Sequence, residues 1–191
     1  MKISGKFVLK VAGTLTIIAL VVAALLGVVD MVTRDKIDAI NVEKTNQALA
    51  AVAPEGAEFT PVELSDAAVS AAAAYGTLDS MYEMSTGGYA MKIVASGSQG
   101  SIEMIVGVDG NKALTGVSVV NHSETGGIGT KVINNDPNSA GTPVLDQFIG
   151  MSGAGSLVVG KTVTPISGAT VTSKGITAGC NAALAAVEAM G

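Results

Sequence analysis

The sequence predicts an α+β fold: one domain with an antiparallel sheet and flanking helices, held behind a single N-terminal transmembrane helix. Three observations carry that reading. Nineteen consecutive residues, Val11 to Val29, bear no charge. Between residues 89 and 120 the apolar residues recur with period two around turn-forming residues. Near the C-terminus Ile176, Cys180, Leu184 and Val187 recur at helical spacing and form one stripe. Composition narrows the function classes. A net charge of −5 leaves no surplus of cations to neutralise phosphates, so nucleic acid is not an expected partner. One cysteine and one histidine cannot build a His/Cys metal cluster or an intrachain disulfide, and no metal site is expected. Glycine, at 24 of 191 residues, runs well above the ordinary 7 or so per cent, which marks a turn-rich chain.

The run VAGTLTIIALVVAALLGVV makes about 28 Å of helix, the thickness of a bilayer core. It exceeds the apolar stretch of a secretory signal and passes into Asp30-Met31-Val32-Thr33 rather than a small-x-small cleavage site, so an uncleaved anchor in membrane lipid is expected. Lys2, Lys6 and Lys10 precede the span, and Arg34, Lys36 and Lys44 follow it, a balance that leans towards a cytoplasmic N-terminus. The expected division is residues 1–30 as stub and anchor, 31–56 as a juxtamembrane helix, and 57–191 as the anchored domain.

Ile37, Ile40, Val42, Leu49 and Val52 lie among polar residues, which suits a helix stopping before Pro54-Glu55-Gly56. A second helix is expected over Asp66–Tyr75, with Ser65 as N-cap and Gly76 as its stop. Tyr89, Met91, Ile93 and Ala95 form one strand face. Ile102, Met104, Val106 and Val108 form another after the turn Gly97-Ser98-Gln99-Gly100. Asp109-Gly110-Asn111 turns the chain into a third antiparallel strand, Leu114–Val120. Residues 121–156 read as loop, with one short helical candidate at Val144–Ile149, and loops of that length are often functional. Thr172 or Ser173 is the expected cap of the final helix.

Several motifs invite chemistry. Gly155 to Thr162 matches the phosphate-loop pattern GxxxxGK[ST], but Thr162-Val163-Thr164-Pro165 cannot open the helix such a loop requires, and Leu157-Val158-Val159 reads as strand. His122 with Ser123 and Glu124 suggests acid/base work, yet no GxSxG elbow accompanies it, and no catalytic residue is assigned. Cys180 falls on the buried stripe, as a small apolar residue would. The informative stretch is Thr164 to Ser173, hydroxyl-rich and placed before a helix start. Its residues suit either an anion site or a plain capping turn.

Ser167-Gly168-Ala169-Thr170 resembles the flavinylation motif of FMN-binding domains, in which FMN is joined through its phosphate to the last threonine. His122-Ser123-Glu124-Thr125-Gly126-Gly127-Ile128-Gly129 resembles the family's H-x-E-T-P-G-L-G loop, and Gly88-Tyr89-Ala90 through Val106-Gly107-Val108 resembles its hairpin. With the anchor and Phe148-Ile149-Gly150, the likeness covers nearly the whole chain. It extends to the RnfG-type subunits of Rnf electron-transport complexes and the homologous NqrC-type subunits of the sodium-pumping NADH:quinone reductase. Two departures stand out: Thr164 occupies a place that is usually acidic, and Gly126 replaces the usual proline.

The resemblance implies an electron-relay subunit of a ferredoxin:NAD⁺ oxidoreductase complex coupled to Na⁺ or H⁺ movement. Its cofactor would be covalent FMN on Thr170, installed by a separate flavin transferase, and its partners the complex's other membrane subunits. Thr170 and Thr172 are both candidate hydroxyls, and the motif selects Thr170. Ser167, Gly168 and Ala169 would form the close-approach turn. Glu124, Thr125, Gly127 and Gly129 would line the loop beside the flavin ring, with Lys131 as a cation favouring the anionic reduced flavin. The main domain would lie outside the cytoplasm. Two other readings are a cofactor-free interaction module and a lone flavoprotein serving another reductase.

Overall fold

A computed structural model of the chain describes residues 5–191; the first four residues of the expected stub, Lys2 among them, lie outside the described residues. Two compact units are present, one ending at Glu43 and the other running from Lys44 to Gly191. The expected anchor and juxtamembrane helix both fall within α1 (Gly5–Val52), a helix of 48 residues. In the first unit its large apolar residues, such as Leu15, Leu20, Leu25 and Met31, are exposed. It is one helix long and apolar enough to cross a membrane.

The second unit is built on a five-stranded antiparallel sheet, β1 (Phe59–Val62), β2 (Thr77–Met84), β3 (Tyr89–Ser96), β4 (Ser101–Val108) and β5 (Leu114–His122), paired in sequence order. The expected hairpin and third strand are β3, β4 and β5, and the Gly97–Gly100 turn closes with the Gly97 N–H donating to the Gly100 carbonyl at 2.7 Å. β1 and β2 lack a readable alternation. β1 is four residues long and contains Pro61, which only an edge strand tolerates. In β2 a register shift between Leu78 and Ser80 places the core residues Leu78 and Met81 three apart, which destroys the period of two.

One sheet face carries Met91, Ile93, Ile102, Met104 and Val106 against α2 (Asp66–Ala72) and α4 (Thr170–Met190). On the other face Ala90 and Ile105 meet Ala48, Leu49 and Val52 from the end of α1. β4 is therefore covered on both faces. Gly107 makes that docking possible, because a Cβ there would stand 2.5 Å from the Val52 carbonyl oxygen, which accepts a hydrogen bond from Thr115 Oγ1. Ser65 caps α2 as expected, its hydroxyl accepting the Ala68 N–H at 3.2 Å, although the helix closes at Ala72 rather than Tyr75. In the long loop region the chain forms a short helix, α3 (Gly129–Ile133), that the sequence did not announce. The expected helix at Val144–Ile149 is a single 3-10 turn over Asp146–Phe148.

Candidate functional site

The segment before α4 is a tight turn. The Ala169 N–H donates to the Ile166 carbonyl at 3.0 Å, and Gly168, third in the turn, adopts φ +82°, which favours glycine. α4 begins at Thr170 with Ala169 as N-cap and no side-chain cap, which corrects the expected capping by Thr172 or Ser173. Both hydroxyls lie inside the first turn and have other acceptors. Ser173 Oγ donates to the Ala169 carbonyl at 3.1 Å, and Thr172 Oγ1 donates to Glu124 Oε2 at 2.5 Å. Thr170 is exposed, and its hydroxyl has no hydrogen-bond partner among the described residues. The α4 N–H groups of Thr170, Val171 and Thr172 have no acceptor among the described residues, as the first turn of a helix dictates.

Glu124 is the centre of the packed part of this region. Only 7% of it is exposed, and no cation pairs with it among the described residues. Its Oε1 accepts the Ser98 N–H at 2.6 Å and the Gln99 N–H at 3.3 Å, and its Oε2 takes the Thr172 hydroxyl. The Glu124 side chain therefore lies beneath the loop rather than on its surface, and Thr172 is 1% exposed. Gly129 is buried beside them, with room for no Cβ: one there would lie 2.5 Å from Glu124 Oε2 and 2.9 Å from Thr172 Oγ1. Fold topology thus joins Glu124, Gly129 and Thr172, which the sequence separates by up to 48 positions.

The stretch between is exposed. Thr125, Gly126, Gly127 and Ile128 reach solvent, Gly127 has φ +75°, and its N–H donates to Thr130 Oγ1 at 2.8 Å. A Cβ on Gly126, Gly127 or Gly168 would meet nothing within 4 Å, so the surface beside Thr170 and along the loop has open space. Ser167 is exposed and Ala169 buried. Lys131 is exposed on α3 and forms no ion pair among the described residues.

Two side chains the sequence did not single out hold the approach to the turn. Gln147 Oε1 accepts the Thr164 N–H at 2.8 Å while its Nε2 donates to the Thr164 carbonyl at 3.1 Å. Asn138, itself buried, donates to the same carbonyl at 3.4 Å. No local pattern announces these contacts, because each spans 17 or more residues. The phosphate-loop look-alike is occupied by its own protein: the Gly155 N–H donates to Asn181 Oδ1 and the Ala154 N–H to Glu188 Oε1, and residues 160–162 are a turn. Its expected strand at Leu157–Val159 reduces to one isolated bridge, Val159 to Val163. His122 Nδ1 accepts the Glu124 N–H at 3.2 Å, which places the imidazole in a structural contact at the end of β5. Burial pushes the Cys180 thiol well above its ordinary range.

Two family models match the chain, an FMN-binding domain over residues 97–185 and an RnfG N-terminal region over residues 1–52. Among curated proteins, the chain is 29% identical over 197 residues to the RnfG-type subunit of the Na(+)-translocating ferredoxin:NAD(+) oxidoreductase complex of Acetobacterium woodii, covering 94% of this chain and 91% of that protein. It is also 29% identical over 191 residues to the corresponding subunit of the ion-translocating oxidoreductase complex of Methanosarcina acetivorans, covering 97% of each.

Proposed function

We propose that the chain, which an FMN-binding-domain model and an RnfG N-terminal model both match, is an electron-relay subunit of a membrane-bound ferredoxin:NAD⁺ oxidoreductase complex, carrying FMN covalently on Thr170. The observation that supports the attachment site is the contrast within one helical turn. Of the three hydroxyls in the first turn of α4, Thr170 is exposed and unpartnered among the described residues, whereas Thr172 and Ser173 are buried and hydrogen-bonded. Attachment uses FAD as donor. Thr170 Oγ1 forms a bond to the FMN-side phosphorus, the pyrophosphate P–O bond breaks, AMP departs, and the hydroxyl proton passes to a base of the flavin transferase or to water.

The residues present fit such a group. The new phosphodiester would sit at the N-terminus of α4, where unpaired N–H groups and the positive end of the helix dipole favour an anion. Ser167 and Gly168 flank it, Gly168 without a side chain to obstruct approach, and the exposed loop Thr125–Gly127 offers a backbone surface for a planar ring. Lys131 contributes a cation on the same short segment. Gly129, Ala169, Thr172 and Glu124 act from beneath as support. Bound FMN would supply one-electron redox chemistry that no side chain here provides.

We place residues 1–30 as stub and anchor, 31–56 as the juxtamembrane helix and 57–191 as the FMN domain, outside the cytoplasm, with Val11–Val29 in lipid. A covalent link suits that side of the membrane, since free FMN is scarce there and a lost cofactor would not be replaced by mass action. Ion coupling, to Na⁺ or H⁺, would reside in the other membrane subunits that this chain joins. The test is co-expression with a flavin transferase, followed by intact-mass analysis and peptide mapping. The expected product gains one FMN less one water, localised to Thr170; an unmodified chain, or a modification elsewhere, would refute the assignment.

A further inference from the structure

We propose that Glu124 and Thr172 are positioning residues for flavin attachment: a buried carboxylate–hydroxyl strut that fixes the rotation of the first turn of α4 and thereby presents the Thr170 hydroxyl outward. The inference rests on the assignment of Thr170 as the attachment site. Its geometry is specific. Successive residues of a helix are about 100° apart around the axis, so Thr170 lies about 200° from Thr172. Pinning Thr172 inward to Glu124 therefore turns Thr170 to the opposite, solvent side.

Glu124 in turn is held by the Ser98 and Gln99 N–H groups of the β3–β4 turn, so the strut ties α4 to the hairpin that joins two central strands of the sheet. Two glycines clear its space: a Cβ at Gly97 would collide with Glu124 Oε1, and one at Gly129 would stand 2.5 Å from Oε2. Three segments, the β3–β4 turn, the start of α3 and the first turn of α4, thus converge on one carboxylate that has three donors and no cation among the described residues. Packing alone would be served as well by an apolar side chain, because removing a charge from water is costly. A hydrogen-bonded strut instead specifies orientation, which is what a transferase needs from an acceptor hydroxyl.

The test uses the full chain in detergent with purified flavin transferase and FAD, at a temperature where every variant is folded. It reads initial rates of covalent flavin incorporation by in-gel fluorescence, and amide hydrogen exchange by mass spectrometry. Thr172→Val is expected to slow incorporation by about tenfold to a hundredfold, as misplacement of a reacting group does. It should also speed exchange in the first turn of α4 while leaving Ala182–Leu184 protected. Thr172→Ser, which keeps the donor, is expected to restore the rate to within about twofold of wild type. Thr172→Val modified at the wild-type rate, or Thr172→Ser as slow as Thr172→Val, overturns the strut. A Thr170→Val control that still acquires flavin overturns the underlying attachment site instead.

Discussion

Replacing Gly129 by alanine sets two opposing effects against each other, and their magnitudes decide the sign. Gly129 opens α3, where alanine is intrinsically better than glycine by about 1 kcal/mol. Its φ lies outside the left-handed region, so no backbone penalty opposes the change. Space does. The added Cβ would meet Glu124 Oε2 at 2.5 Å, Glu124 Cβ at 2.8 Å and Thr172 Oγ1 at 2.9 Å, all shorter than any relaxed carbon contact. The carboxylate has to retreat, and that loosens a hydrogen bond to a charged group worth about 1.5–3 kcal/mol. The net expectation is a loss of about 0.5–2 kcal/mol, which for a domain of this size lowers Tm by about 1–8 °C. Gly126→Ala is the matched control, since a Cβ there meets nothing within 4 Å, and its effect should stay within about 0.5 kcal/mol. Urea and thermal unfolding of the two variants, both without flavin, provide the comparison. A Gly129→Ala protein as stable as wild type, or more so, would refute the reasoning that Glu124 and Thr172 leave no room.

Three further outcomes are expected. Thr170→Val should abolish covalent flavin on a denaturing gel while leaving Tm within about 1 °C, because an exposed hydroxyl without partners contributes little to the fold. Cys180 should resist maleimide in the native chain and react on unfolding, since complete burial both blocks access and pushes its thiol pKa upward. Lys92 faces Asp79 at 3.4 Å and Glu103 at 3.3 Å; burial lowers its pKa, but the two carboxylates outweigh this and raise it above 10.5. A raised folded pKa stabilises fully below the unfolded value and is lost as pH rises through the folded one. The stability gap between wild type and Lys92→Met, about 0.5 kcal/mol for a partly exposed cluster, should therefore be present at neutral pH and shrink above 10.5.

Local chemistry determined much of this protein directly. The length of the uncharged run, the turn residues at Gly97–Gly100 and Asp109–Asn111, the Ser65 cap and the apolar stripe of α4 each depend on residues within a few positions of one another. Each was legible in the sequence for that reason. The motif Ser167–Thr170 was legible too, as a pattern. β1 and β2 were not, because a proline and a bulge interrupt the alternation, and their strand state comes from pairing with β3 and with each other. The inward turn of Glu124, the pinning of Thr172 and the clamping of Thr164 by Gln147 were decided only by tertiary structure. In the sequence Thr170 and Thr172 are told apart by the motif alone, and nothing there shows which of the two is exposed. Their exposure is decided when α4 packs against the sheet, because a helix shows opposite sides at positions two residues apart and burial takes one side at a time.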